Sequence, residues 1–168
     1  MQETPQQYTE RMLNHSRGKE PLRLQQATPR KLTALTKGLS KKQLTRRPAP
    51  GKWSIAEILA HLADAELVVG FRLRLMLASN GTPIQAFDQD AWARGLDYPT
   101  MPLELSREIY RSTRAGTRYL AALHYLKDGH LEWVHSETGV RTLREEFDKV
   151  AAHNEHHLGQ IRTALRSA

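Results

Sequence analysis

The 168-residue chain predicts an all-α protein, a bundle of four main helices with a short extra N-terminal helix and long connections. Three observations carry this. Apolar residues recur at helical rather than strand spacing over most of the chain. Several Ser or Thr residues are followed three positions later by Glu or Gln, the pattern that caps helix starts. No convincing run of alternating strand residues appears. The length suits one domain, residues 1–168, with a core of its own.

In chain order, Thr4-Pro5-Gln6-Gln7 reads as a first helix start, running towards Asn14 and broken by Gly18. Glu20 to Gln26 continues as helix or turn. Thr28-Pro29 reads as a second start, with Leu32, Leu35 and Leu39 as its stripe and Lys37-Gly38 as its end. Ser40-Lys41-Lys42-Gln43 predicts one helical turn. Pro48, Pro50 and Gly51 set a loop to Trp53. Ser54-Ile55-Ala56-Glu57 is a capping box opening a long helix to about Ser79, with Ile55, Ile58, Leu59, Leu62, Val69, Leu73 and Met76 facing inward. Asn80-Gly81-Thr82-Pro83 ends it. A long connection through Phe87-Asp88-Gln89-Asp90-Ala91-Trp92 to Tyr98-Pro99 carries carboxylates and aromatics suited to wall a pocket. The next helix spans about Leu103 to Leu126, with Leu105, Ile109, Thr113, Tyr119, Leu120 and Leu123 on its expected buried side. Leu131 to Val140 reads as an irregular or hairpin-like connection. Thr142-Leu143-Arg144-Glu145 caps the last helix, in which Phe147, Val150, Ile161 and Leu165 face inward.

That last helix holds the densest chemistry. His153 and His157 are four residues apart, which puts two imidazoles on one helix face. A third ligand must come from elsewhere, and His61, on the apolar face of the long helix, is the best candidate. Asp64, three residues on, is placed to orient His61 through a hydrogen bond. Asp64 and Glu57 are the candidate catalytic carboxylates, with Asp88 and Asp90 behind them. His156 falls about 100° round the helix from its neighbours and is read as a supporting or surface residue. His135 sits in a connection that can fold towards the pocket; His15, His124 and His130 follow no pattern. The segment His153-Asn154-Glu155-His156-His157 lacks the HExxH order, which argues against a peptidase.

Composition narrows the rest. There are no cysteines, which excludes disulfides, thiolate metal sites and cysteine nucleophiles. No apolar run approaches the roughly 20 residues that span a bilayer. The N-terminus has no signal-peptide pattern, so a cytoplasmic protein without membrane contact is expected. The net charge of +7 gathers in Arg30, Lys31, Lys37, Lys41, Lys42, Arg46, Arg47 and Lys52. Without a recognition helix or stacking aromatics this reads as a solvated face rather than a nucleic-acid site.

Gly51-Lys52-Trp53-Ser54-Ile55-Ala56-Glu57, His61-Leu62-Ala63-Asp64-Ala65-Glu66, and His153 with His157 and Gln160-Ile161 together resemble the DinB-like superfamily. Thr28-Pro29, Gly38-Leu39-Ser40, Arg72-Leu73-Arg74, Phe87-Asp88 and Gly139 before Thr142-Leu143 extend the likeness over nearly the whole chain. The resemblance implies an up-down-down-up four-helix bundle with one divalent metal ion held by His61, His153 and His157. Zinc or nickel leads as the ion, with manganese or iron as alternatives. It implies a metal-dependent hydrolase of a small molecule, in a family many of whose members have no assigned substrate. It also implies an alternative, a thiol-dependent S-transferase or isomerase using mycothiol, bacillithiol or glutathione, for which Arg72 and Arg74 are candidate contacts. Homodimers are frequent in the family. A non-enzymatic metal-binding or ligand-binding bundle is the reading from a different class.

Overall fold

The computed structural model describes residues 3–166. Four long helices form the bundle: α2 (Pro21–Thr36), α4 (Ile55–Ala78), α6 (Leu103–His124) and α7 (Leu143–Arg166). Around them lie α1 (Pro5–Leu13), a 3₁₀ turn (Asn14–Ser16), α3 (Lys41–Thr45) and α5 (Gln89–Gly95). Three short strands, β1 (Thr82–Ile84), β2 (Glu132–His135) and β3 (Gly139–Thr142), make a small sheet in the order β1-β2-β3.

Cross-bundle contacts fix the directions. Gln25 reaches Phe147 and Lys31 reaches Glu155, so α2 and α7 run parallel. Glu66 meets Arg114, and a side chain at Gly70 would meet Thr113 and Thr117, so α4 and α6 run parallel. His61 meets His153 while Arg72 meets Glu146, so α4 and α7 run antiparallel. The order is up-down-down-up. The parallel α4–α6 pair forces the chain to return the length of a 24-residue helix, roughly 36 Å at 1.5 Å per residue, before α6 can start. This is the physical reason for the long connection.

The capping boxes at Thr4, Ser40 and Ser54 form as the sequence predicts. Thr142 and Glu145 exchange the same pair of bonds at the head of α7. The inward residues of α4 are buried, apart from a partly exposed Val69. Two apolar clusters fill the bundle, one around Leu44, Ile55, Ile58, Leu62, Leu158 and Ile161, the other around Leu73, Met76, Trp133, Leu143 and Phe147.

Two expectations need correction. Thr28-Pro29 does not start a helix, because α2 runs unbroken through it from Pro21. Glu20 is the N-cap, accepting from the Leu22 and Arg23 amides, and Pro21 occupies the first turn where a missing N–H costs nothing. Burial of Leu24, Gln25, Thr28 and Leu32 then offsets the one helical bond lost at Pro29. The second correction is the face of α6. Ser106, Tyr110, Arg114, Thr117 and Ala121 are buried, whereas Leu105, Tyr119 and Leu123 are 47, 66 and 50% exposed. Ile109 and Leu120 do pack against the core, partly buried, but the centre of the face is Tyr110, the Arg114 ion pair, Thr117 and Ala121, so apolar periodicity placed the buried side only in part. The connection at 131–142 takes the hairpin form of the two that the sequence left open, and β1 adds to it in parallel. Its alternation places Trp133 and His135 inward and Glu132 and Val134 outward.

Candidate metal centre

His61 sits in the second turn of α4 and is wholly buried; His157 is 4% exposed. The i, i+4 spacing on α7 brings His153 and His157 to one face, and the antiparallel packing of α4 brings His61 opposite. His61 Nε2 lies 3.0 Å from His153 Nε2, and His157 Nε2 lies 3.1 Å from the same atom. One atom from each ring falls within 4.8 Å of the others.

These three nitrogens fit a metal ion. Nitrogens held at 2.0–2.1 Å from a tetrahedral ion stand roughly 3.4 Å apart, close to what is seen. One proton on His153 Nε2 satisfies one of its two contacts, whereas a cation accepts all three lone pairs. Burial pushes the His61 pKa down to about 4, and burial followed by neighbouring histidines pushes His153 and His157 well below the ordinary value. All three rings are therefore neutral near pH 7, the state that binds metal.

The surroundings orient the rings. His157 Nδ1 is 2.8 Å from Gln160 Oε1, an acceptor, so Nδ1 carries the proton and Nε2 is left with its lone pair. Gln160 Nε2 donates to His156 Nε2 at 3.0 Å, which puts the His156 proton on Nδ1, 3.1 Å from His15 Nε2. His156 thus supports the site from outside, and His15 joins it. Trp53 packs on His61 with ring centres 4.9 Å apart and stacks on His157 at an interplanar angle of 13°. Sequence reasoning missed the roles of Gln160 and Trp53, although both stand in the motifs it singled out. The i, i+3 spacing from His157 to Gln160 was the available signal.

The two carboxylate candidates fare differently. Asp64 does not bond His61. Its Oδ2 accepts from the Tyr98 hydroxyl at 2.7 Å, and His61 Nδ1 has no partner among the described residues. Burial raises the Asp64 pKa against the opposing Tyr98 bond. Glu57 completes the Ser54 capping box and pairs with Arg47. Burial raises its pKa, but the bonds from Arg47 and Ser54 outweigh that and hold it below the ordinary value. Asp88 caps α5 through the Asp90 and Ala91 amides.

Beside the histidines lies a cavity of about 480 Å³, with His153 in its wall. Leu62, Val69 and Phe87 give it apolar surface; Glu66, Arg72, Glu146, Lys149 and His135 give it polar groups. The long connection does wall this pocket, through residues 86–89. Arg72 is committed to Glu146 at 3.6 Å and to the Gln85 carbonyl at 2.8 Å, and Arg74 to the Gly70 carbonyl at 2.6 Å. No described helix is long and apolar enough to cross a membrane.

Comparison with known proteins agrees with this geometry. A protein of Oceanobacillus iheyensis named "Putative metal-dependent hydrolase" is 30% identical over 129 residues, covering 76% of this chain and 73% of its own. One of the same name from Halalkalibacterium halodurans is 23% identical over 137 residues, covering 82 and 80%. The solved structure of YfiT from Bacillus subtilis, described as "a probable metal-dependent hydrolase with an unusual four-helix bundle topology", superposes with a TM-score of 0.76. It is 23% identical, and the match covers 87% of this chain and 84% of that one. The profile of the DinB superfamily matches residues 24–161. The chain therefore belongs to the DinB superfamily.

Proposed function

We propose that this protein is a metal-dependent hydrolase of a small molecule, with one zinc or nickel ion held by His61, His153 and His157. The convergence of three neutral imidazole nitrogens beside a cavity carries this reading. Zinc and nickel both suit imidazole ligands. A bound ion with three protein ligands keeps a position open, lowers the pKa of water there to roughly 7 and polarises a carbonyl.

The protein's own residues supply the rest. Gln160 and Trp53 hold the His157 ring, and Leu62, Val69 and Phe87 give the cavity beside it an apolar lining. Of the two carboxylates, Asp64 is the better proton acceptor. It is one turn from His61 and its carboxyl is raised, whereas Glu57 is occupied by Arg47 and the Ser54 cap. A second reading, thiol transfer, draws support from the same ligand set. His61, His153 and His157 are neutral, so an ion they held would keep its positive charge uncompensated and would stabilise a thiolate. We also propose a homodimer, supported by exposed Leu67 and Phe71 on α4 and exposed Leu105 and Leu123 on α6.

The test is the metal content of protein purified without a nickel column, compared with a His153→Ala/His157→Ala variant. About one equivalent in the first and none in the second is expected. Ester, amide and thiol-transfer assays of the loaded protein then separate the two chemistries. Absence of metal in wild-type protein that also fails to take up zinc, nickel or manganese would sink the proposal.

A further inference from the structure

The cavity beside the histidines contains more charge than a hydrolytic site needs, and most of it cancels. Arg114 neutralises Glu66 at 2.9 Å, with both side chains buried. Glu146 neutralises Arg72. At the mouth, Glu3 is paired with Arg11 and Asp88 is taken up by the α5 cap. Two charges are left over. Glu137 is exposed at the rim. Lys149 is half-buried and has no hydrogen bond or ion pair among the described residues.

Lys149 is placed by the helix itself. Glu146, Lys149, Val150, His153 and Asn154 all line the cavity, the i, i+3, i+4, i+7, i+8 pattern of one face of α7. Lys149 is thus one turn from the metal ligand His153. His135, the last residue of β2, is turned inward by the strand's alternation and lines the same cavity. Its Nδ1 accepts from the Glu137 amide at 3.1 Å, so its proton sits on Nε2. Burial, then the charges of Lys149 and Arg72, lower its pKa and keep it neutral, and Lys149 also acts on His153. Lys149 and His135 therefore line one cavity, the first offering an ammonium group and the second a neutral N–H donor.

We infer that Lys149 and His135 form the substrate-anchoring pole of this cavity, and that the substrate is a small organic carboxylate with an apolar body. An ammonium and an N–H donor, neither able to accept, call for a group with two acceptor oxygens, and a carboxylate supplies both. Leu62, Val69 and Phe87 receive the apolar part. The volume suits a small molecule. Arg72 and Arg74, the arginines that the sequence offered for anion contact, are already occupied. This inference deepens the proposed function by naming its substrate class, and it rests on that reading for the choice of site.

The experiment is calorimetric binding of three probes of one shape: 3-phenylpropionate, 3-phenylpropanamide and 3-phenylpropylamine. Each is titrated into metal-loaded and metal-free protein, for wild type, Lys149→Met, Lys149→Arg and His135→Phe. Wild-type protein is expected to bind the carboxylate about tenfold more tightly than the amide, with the amine weakest. Lys149→Met removes that preference and leaves amide binding in place; Lys149→Arg restores most of it. His135→Phe weakens the carboxylate several-fold. The preference persists without metal, so it stands or falls independently of hydrolysis. Equal binding of acid and amide, a preference that survives Lys149→Met, one seen only in loaded protein, or no carboxylate binding up to about 10 mM would each overturn the inference.

Discussion

Replacing Gln160 by Leu removes an acceptor while keeping the side chain's bulk. In the wild type Gln160 Oε1 lies 2.8 Å from His157 Nδ1 and fixes the tautomer in which Nε2 can bind a metal. Without it the ring is free to carry its proton on Nε2, where it blocks coordination, or to turn. Losing such a supporting partner costs about 10–100-fold in metal affinity. Gln160 is exposed, so water can take over part of its role, which places the expected loss near the lower end, about tenfold or 1.4 kcal/mol. The Trp53 stack still holds the ring plane, which also argues for the lower end. The assay is competition for zinc against a chelator of known affinity, with circular dichroism to verify the fold. Glu at the same position keeps an acceptor and should retain affinity. Unchanged affinity in Gln160→Leu would refute the tautomer argument, and so would an equal loss in Gln160→Glu.

Acid provides a second check. His61 falls from an ordinary 6.5 to about 4 on folding, so the unfolded chain binds more protons between those values. Metal-free protein is therefore most stable above pH 6.5 and loses ~3 kcal/mol from His61 alone as pH falls towards 4. Urea unfolding that stays flat between about pH 7 and 4.5 would contradict this. Tyr98→Phe takes the only described donor from the Asp64 carboxylate and should cost about 1–3 kcal/mol in urea denaturation while raising the Asp64 pKa further. Arg114→Leu strands Glu66 in the interior and should cost ~3–5 kcal/mol, of which adding Glu66→Gln recovers a large part; a double variant no better than the single one would count against the ion pair.

What the sequence determined by itself was local. A capping box needs residues three apart, and an i, i+4 histidine pair needs one helix. Both form within a single turn, so Ser54 with Glu57 and His153 with His157 could be read directly. The inward face of α4 was legible for the same reason: it is apolar and long. His61 was legible as a candidate, but only antiparallel packing of α4 on α7 brings its Nε2 to His153. The face of α6 was not legible, because Arg114 and Glu66 are buried as a pair and neither residue alone signals burial. Thr28-Pro29 misled because its local pattern matches a helix start, whereas Glu20 and Pro21 match one too and the packing of α2 on α7 decided between them. The partner of Asp64 came from Tyr98, 34 residues away across the long connection, not from the histidine one turn before it. Long-range pairs of this kind cost chain entropy that only the assembled core offsets, so they are settled by the tertiary structure.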